Sequence, residues 1–177
     1  MREAAYVEHV ADIAPGGTFL VRTWFGSDEA WRLLVDDVLA ETDEGLRAHL
    51  VPVDDPALAG AGPEAVVAAL PVGEQPYVIA IADDATFTTA GAPVLVVELH
   101  PGPQLGGSLR ALPSALQSIE NNLSIANMDF DEFVAAAGAD GGFRGFGGSP
   151  QPPQQLPPPV YDVDPHADPD ADAEMTI

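Results

Sequence analysis

The chain holds no cysteine and no lysine among its 177 residues. Without thiols there is no disulfide, no thiol nucleophile and no cysteine-ligated zinc. Its six basic side chains are all arginines, set against 28 aspartates and glutamates, for a formal net charge of -22. Proteins that track phosphates need clustered Lys or Arg, so the sequence argues against a nucleic-acid partner. The same sign of charge argues against an anionic membrane surface. No apolar run approaches the ~20 residues that a membrane span requires. The opening MREAAYVEHVADIAPGG lacks a continuous apolar stretch and carries Glu3, Glu8 and Asp12, unlike a secretory signal. The expected location is the cytoplasm.

Catalytic signatures are sparse. His9, His49, His100 and His166 are scattered, with no H-x-x-x-H or H-E-x-x-H spacing. There is no G-x-S-x-G elbow and no glycine-rich phosphate loop. A Ser-His-Asp triad stays open, because its members are distant along a chain. No cofactor is implied.

Acid and apolar residues are what the chain has in quantity. Apolar side chains make up 46%, enough for a real core. Twenty-two acids and all six arginines precede Ser149, leaving -16 on the body and -6 on the tail. A field of that sign suits a basic protein partner or a DNA-mimicking surface. Solubility, in a composition rich in Ala, Gly, Asp and Pro, is the plainer account of the same acidity.

Local patterns divide the chain into an N-terminal extension over 1–17, an acidic α/β domain over 18–146 and a disordered Pro- and Asp-rich tail over 147–177. Ala14-Pro15-Gly16-Gly17 is a turn signal. Phe19–Thr23 reads as a strand, and Ser27 as the N-cap of a helix. In that helix Trp31, Leu34, Val35, Val38 and Leu39 share one face, with Gly45 as its stop. His49–Val53 reads as a second strand, closed by Asp54-Asp55-Pro56. Gly62-Pro63 opens a short helix that buries Val66, Val67 and Leu70. Tyr77–Ala82 and Val94–Leu99 are unbroken apolar runs, as in strands covered on both faces. Ser108–Leu112 is a further candidate strand.

Ser114–Gln117 has a capping-box pattern ahead of a helix with Leu116, Ile119 and Leu123 on one face. Asp129–Glu132 is a second such start, with Met128 and Phe133 placed as a hydrophobic staple. Phe130, Phe133, Val134 and Ala137 form the expected inner face, and Gly138 the end. Strands alternating with short helices predict a three-layer α/β fold with a mostly parallel sheet of four to five strands. From Gly147 onward Pro, Gln and alternating Asp cannot bury enough apolar area to offset ordering entropy. Pro158-Pro159-Val160-Tyr161 matches a groove-binding PPxY pattern, and Asp168, Asp170, Asp172 and Glu174 an incomplete calcium loop. Both read more simply as solvated tail chemistry.

The stretch Ser118–Phe133, containing ENNLSIANMDF, and the later Gly142-Phe-Arg-Gly-Phe146 resemble the C-terminal block of small actinobacterial domains of unknown function. The resemblance extends to Leu20–Thr23, Ser27–Trp31, Val53–Pro56 and Ile81–Asp83, and so spans Phe19 to Phe146. It implies no activity. Members tend to carry Asp where this chain has Trp24, and that departure weighs against an enzyme.

Two groups of residues are candidates for binding. Asp28, Asp54, Asp55, Asp83, Asp84 and Glu98 end or follow strands, where α/β sheets bind ligands, and three of them at one point would bind Mg²⁺. Helix capping and Asx-turns explain the same placement without a ligand. Glu120, Asn121, Asn122, Asn127 and Asp129 form a dense amide-carboxylate patch that either meets a partner or orders a helix-helix corner. The leading expectation is a non-enzymatic binding or accessory domain that engages a protein partner, of basic character, through an acidic surface. The alternative is a carboxylate-lined enzyme of unknown substrate whose chemistry could use a divalent metal. The sequence does not fix the oligomeric state.

Overall fold

A computed structural model describes residues 7–8, 17–70, 76–99 and 106–146. One six-stranded sheet runs through it. The strands are β1 (Thr18–Arg22), β2 (Leu50–Val53), β3 (Val78–Ala82), β4 (Val94–Glu98), β5 (Ser108–Ala111) and β6 (Gly142–Phe143), in the order β2-β1-β3-β4-β5-β6. Pairs β1–β2, β1–β3 and β5–β6 are parallel, while β4 is antiparallel to both neighbours. Five strands therefore point one way and β4 alone is reversed. The expected mostly parallel sheet holds in direction but is one strand larger than anticipated.

The reversal has a simple cause. Only Asp83 to Pro93 joins β3 to β4, and a parallel crossover needs a dozen or more residues. Helix α3 (Asp84–Thr88) takes up half of that stretch. Gly91 and Ala92, both at positive φ, then turn the chain back. The sixth strand is β6, a two-residue segment inside a glycine run whose Phe143 is fully buried.

Residues alternate between two cores, one on each face of the sheet. Leu20, Val78, Ala80, Val96 and Leu109 face α1 (Asp28–Val38), α4 (Leu116–Ser124) and α5 (Phe130–Ala136). Phe19, Val21, Ile79, Ile81 and Val97 face the 3-10 turn Pro56–Leu58 and α2 (Pro63–Ala69), which add Leu58, Val66 and Leu70. The three layers are thus unequal, with most helix on the first face.

Helix α1 forms as its pattern predicts. Ser27 accepts the Ala30 N–H at 3.1 Å, and Trp31, Leu34, Val35 and Val38 are buried. It stops at Val38, however, and Gly45 sits in a later turn at φ 77°. Helix α4 begins from the 3-10 turn Pro113–Ala115 with no side-chain cap, so the expected Ser114 capping box is absent. At α5 the Asp129 N–H donates to the Glu132 carboxylate at 2.9 Å, as expected. Met128 packs against the first core, but Val134 points outward, 42% exposed. From the extension, Val7 makes a parallel bridge to Val53 at the outer side of β2. The tail and His9, His100 and His166 lie outside the described residues.

Candidate functional site

The carboxyl ends of β1, β2, β3, β5 and β6 share one edge of the sheet. Three loops there, after β1, β2 and β3, carry most of the strand-end acids, and two arginines organise them. Arg22 closes β1 and is 2% exposed. Its Nη2 donates to Asp28 at 2.8 Å, its Nη1 to Asp54 at 3.1 Å, and its Nε to the Trp24 carbonyl at 3.0 Å. The Phe25 ring lies 4.4 Å from the guanidinium carbon. Those contacts engage all three guanidinium nitrogens and tie β1 to the ends of α1 and β2.

Arg110 organises the second group. It shares a cross-strand row with Ile81, Leu95 and Gly142, on the face that places it beside Asp83. Nη1 and Nη2 grip the Asp83 carboxylate end-on at 2.7 and 2.6 Å. Asp83 also caps α3, accepting the Thr86 N–H at 3.1 Å. Burial works to raise the Asp83 carboxyl, but the Arg110 guanidinium, helped by the Thr86 N–H and hydroxyl, outweighs it and holds the group below the usual carboxylate range.

The other predicted acids go elsewhere. Asp55 is buried and accepts the Ala57 N–H at 2.9 Å, capping the 3-10 turn. Asp84 is exposed in the first turn of α3. Glu98 does not belong to this edge at all: β4 is reversed, so Glu98 pairs with Val78 at the opposite edge and accepts the Gly107 N–H at 3.2 Å. Among the described residues, no three carboxylate or imidazole groups come close enough to share a metal.

The amide-rich patch is also divided. Asn122 donates to the Ser118 carbonyl at 2.7 Å and accepts from the Asn127 amide at 2.7 Å, locking the α4–α5 corner. Glu120 turns away from them, 8% exposed, and accepts the His49 N–H at 3.1 Å, joining α4 to the start of β2. His49 itself is an exposed strand-end residue, as expected. Asn121 is half-buried and its carbonyl accepts from Ser124, while Asp129 is exposed.

Sequence reasoning missed the cavity beside Arg110. It measures about 290 Å³ and lies over the carboxyl ends of β5 and β6, with Ala85, Pro93 and Leu112 as apolar wall. Arg110 and Arg144 both line it. Arg144 is held by Asp140, whose carboxyl it pushes far below the usual range, with help from the Gly142 N–H. With only six bases in the chain each arginine stands out by itself, but the strand order that brings Arg110 of β5 near Arg144 after β6 carries no sequence signal.

Residues 17–146 match a domain of unknown function, DUF6924. The chain belongs to that family. No curated protein and no solved structure matches it. Within DUF6924, this member carries Trp24 at the β1–α1 loop, with its indole stacked on Phe87 of α3 at 4.8 Å between ring centroids. A Cβ on Gly26 would lie 2.0 Å from that indole, so only glycine allows the fold-over. Trp24 thereby fills the gap between the loops that follow β1 and β3. No helix among the described residues is long and apolar enough to cross a membrane.

Proposed function

We propose that this member of DUF6924 is a non-enzymatic, cytoplasmic binding domain that engages a basic protein partner through its acidic surface. The observation that carries the reading is the outer side of α1 and the loop behind it. Glu29, Asp36, Asp37, Glu41, Asp43 and Glu44 are all exposed there. The ion pairs among the described residues use none of them. Leu33 and Leu46, 46% and 50% exposed, lie among these acids. Unpaired charge around exposed apolar side chains suits a partner that brings Lys or Arg at the rim and an apolar contact at the centre.

The metal-dependent alternative is weaker, because Asp28, Asp54 and Asp83 already face guanidinium groups. Trp24, at a position where the resemblance leads one to expect Asp, points the same way. We also take the Glu120–Phe130 block and Phe143–Phe146 as the family's signature, within an actinobacterial lineage. What supports the signature is that Leu123, Phe130 and Phe143 from the two segments share one core.

The test is cross-linking and co-purification from the native host with the triple variant Asp36→Lys, Asp37→Lys, Glu41→Lys. A control reverses Asp131, an exposed acid on α5 that takes part in none of the ion pairs among the described residues. The reading expects a basic protein that is recovered with wild type and control, lost with the α1 variant and weakened as salt rises. Recovery that ignores the α1 reversal, or loss that the α5 control reproduces, overturns it.

A further inference from the structure

Arg110 and Arg144 approach the same cavity from different strands, and each is held in the same way. A guanidinium has five N–H donors in a rigid fork. In Arg110, Asp83 takes one hydrogen from each Nη, and the Pro93 carbonyl accepts from Nη1 at 3.2 Å. In Arg144, Asp140 takes one from each Nη, and the Gly142 carbonyl accepts from Nη1 at 3.0 Å. No hydrogen bond among the described residues uses the Nε–H of either residue, or its remaining Nη2 hydrogen. Those two donors lie side by side on one edge of the guanidinium. They match the spacing of two carboxylate oxygens.

Arg22 provides the contrast. Its Nε is bonded, both Nη groups meet acids, and it is sealed from solvent. A purely structural arginine in this protein looks like that. Arg110 and Arg144 instead keep 30% and 56% of their side chains exposed, on a cavity with an apolar wall. The place is also the one where α/β sheets take ligands, beyond the carboxyl ends of a parallel strand pair.

We propose that this cavity is a binding site for a small monocarboxylate with an apolar body. Its carboxylate meets the side-on edges of Arg110 and Arg144, and its body rests on Ala85, Pro93 and Leu112. Charge decides between a carboxylate and a phosphate. Asp83 and Asp140 already neutralise one guanidinium each, and residues 1–148 together carry -16. A monoanion adds the least repulsion, and a phosphate dianion adds more. The cavity is at the small end of ligand sites, which fits a compact molecule. This inference is independent of the acidic face of α1 and stands or falls separately.

The experiment is an NMR titration of the full chain with sodium benzoate, sodium phosphate and sodium chloride at matched ionic strength. The Arg Nε–H resonances are read directly. Benzoate is expected to shift those of Arg110 and Arg144 in a saturable way, with Arg22 unmoved as the internal control. Arg144→Gln, at an exposed loop position, is expected to keep the spectrum of a folded domain. It is expected to weaken the benzoate response at Arg110 at least tenfold, with Arg144→Lys also weakened because it loses the fork. Shifts that sodium chloride reproduces, or a benzoate response that Arg144→Gln leaves intact, overturn the site. Saturable binding of phosphate with benzoate inert overturns its assignment to a carboxylate.

Discussion

Arg22 is enclosed, while its partners are not. Asp28 and Asp54 keep 72% and 30% of their side chains exposed. Removing the charge from the inside therefore costs less than stranding it there. In Arg22→Met the two carboxylates simply hydrate. In the double variant Asp28→Asn, Asp54→Asn the guanidinium stays buried without a counter-charge, a situation that costs about 3–5 kcal/mol. Urea denaturation is expected to rank the double variant below Arg22→Met in stability, and the reverse order would refute this account of the centre. Ala126 illustrates strain at a single residue. It sits at φ 51° in the α4–α5 corner, where a Cβ is unfavourable. Ala126→Gly is expected to stabilise the domain by about 1 kcal/mol and raise its Tm, and Ala126→Val to lower it. A fall in Tm for Ala126→Gly would show that the Ala126 methyl group matters more than its backbone.

Glu120 shows why the fold was more legible than the site. Its position in α4 was readable, because Leu116, Ile119 and Leu123 mark one face of a helix. Its partner was not, since the His49 N–H is distant in sequence and only the packing of α4 beside β2 brings them together. Glu120→Ala leaves that N–H without an acceptor and is expected to cost about 1–3 kcal/mol, with Glu120→Gln milder because it keeps an oxygen there. Equal losses for the two, measured by thermal denaturation, would mean that the charge matters rather than the bond. The same division runs through the other elements. Periodicity and capping residues located α1, α2, α5 and β1 to β5, since those signals are local. Strand β6 escaped because two residues in a glycine run carry no periodicity. The direction of β4 was within reach, because the short Asp83–Pro93 link forbids a parallel crossover. Missing it put Glu98 at the wrong edge, whereas Asp28, Asp54 and Asp83 lie at the expected edge and are taken up by Arg22 and Arg110. Arg110 and Arg144 were invisible as a pair, since their meeting depends on strand order.

A net charge far from zero makes the compact state repel itself, so added salt is expected to raise Tm at neutral pH until screening saturates. Acid acts on that background through particular carboxyls. Asp37, exposed as a whole, is partly desolvated by the protein around it, which raises its carboxyl, so its charged form is costly at neutral pH and relieved as pH falls. Asp83 works in the opposite sense. Its folded pKa lies below the usual value of about 3.9 for Asp. Between those two values the unfolded chain binds more protons than the folded one. The stability Asp83 contributes is therefore fully present above the unfolded value and is lost as pH falls through the folded one. Asp83→Asn is expected to remove that part of the acid limb. Arg110→Gln should do more than weaken it. Without the guanidinium, the burial of Asp83 is opposed only by the Thr86 bonds, so the pKa moves upward toward or past the usual value. The slope contributed by this residue then flattens or changes sign, so that acid no longer destabilises through Asp83. Guanidinium-chloride midpoints measured from pH 6 down to pH 3 distinguish the three proteins. If all three keep the same acid limb, the Arg110–Asp83 pair does not govern how the domain answers pH.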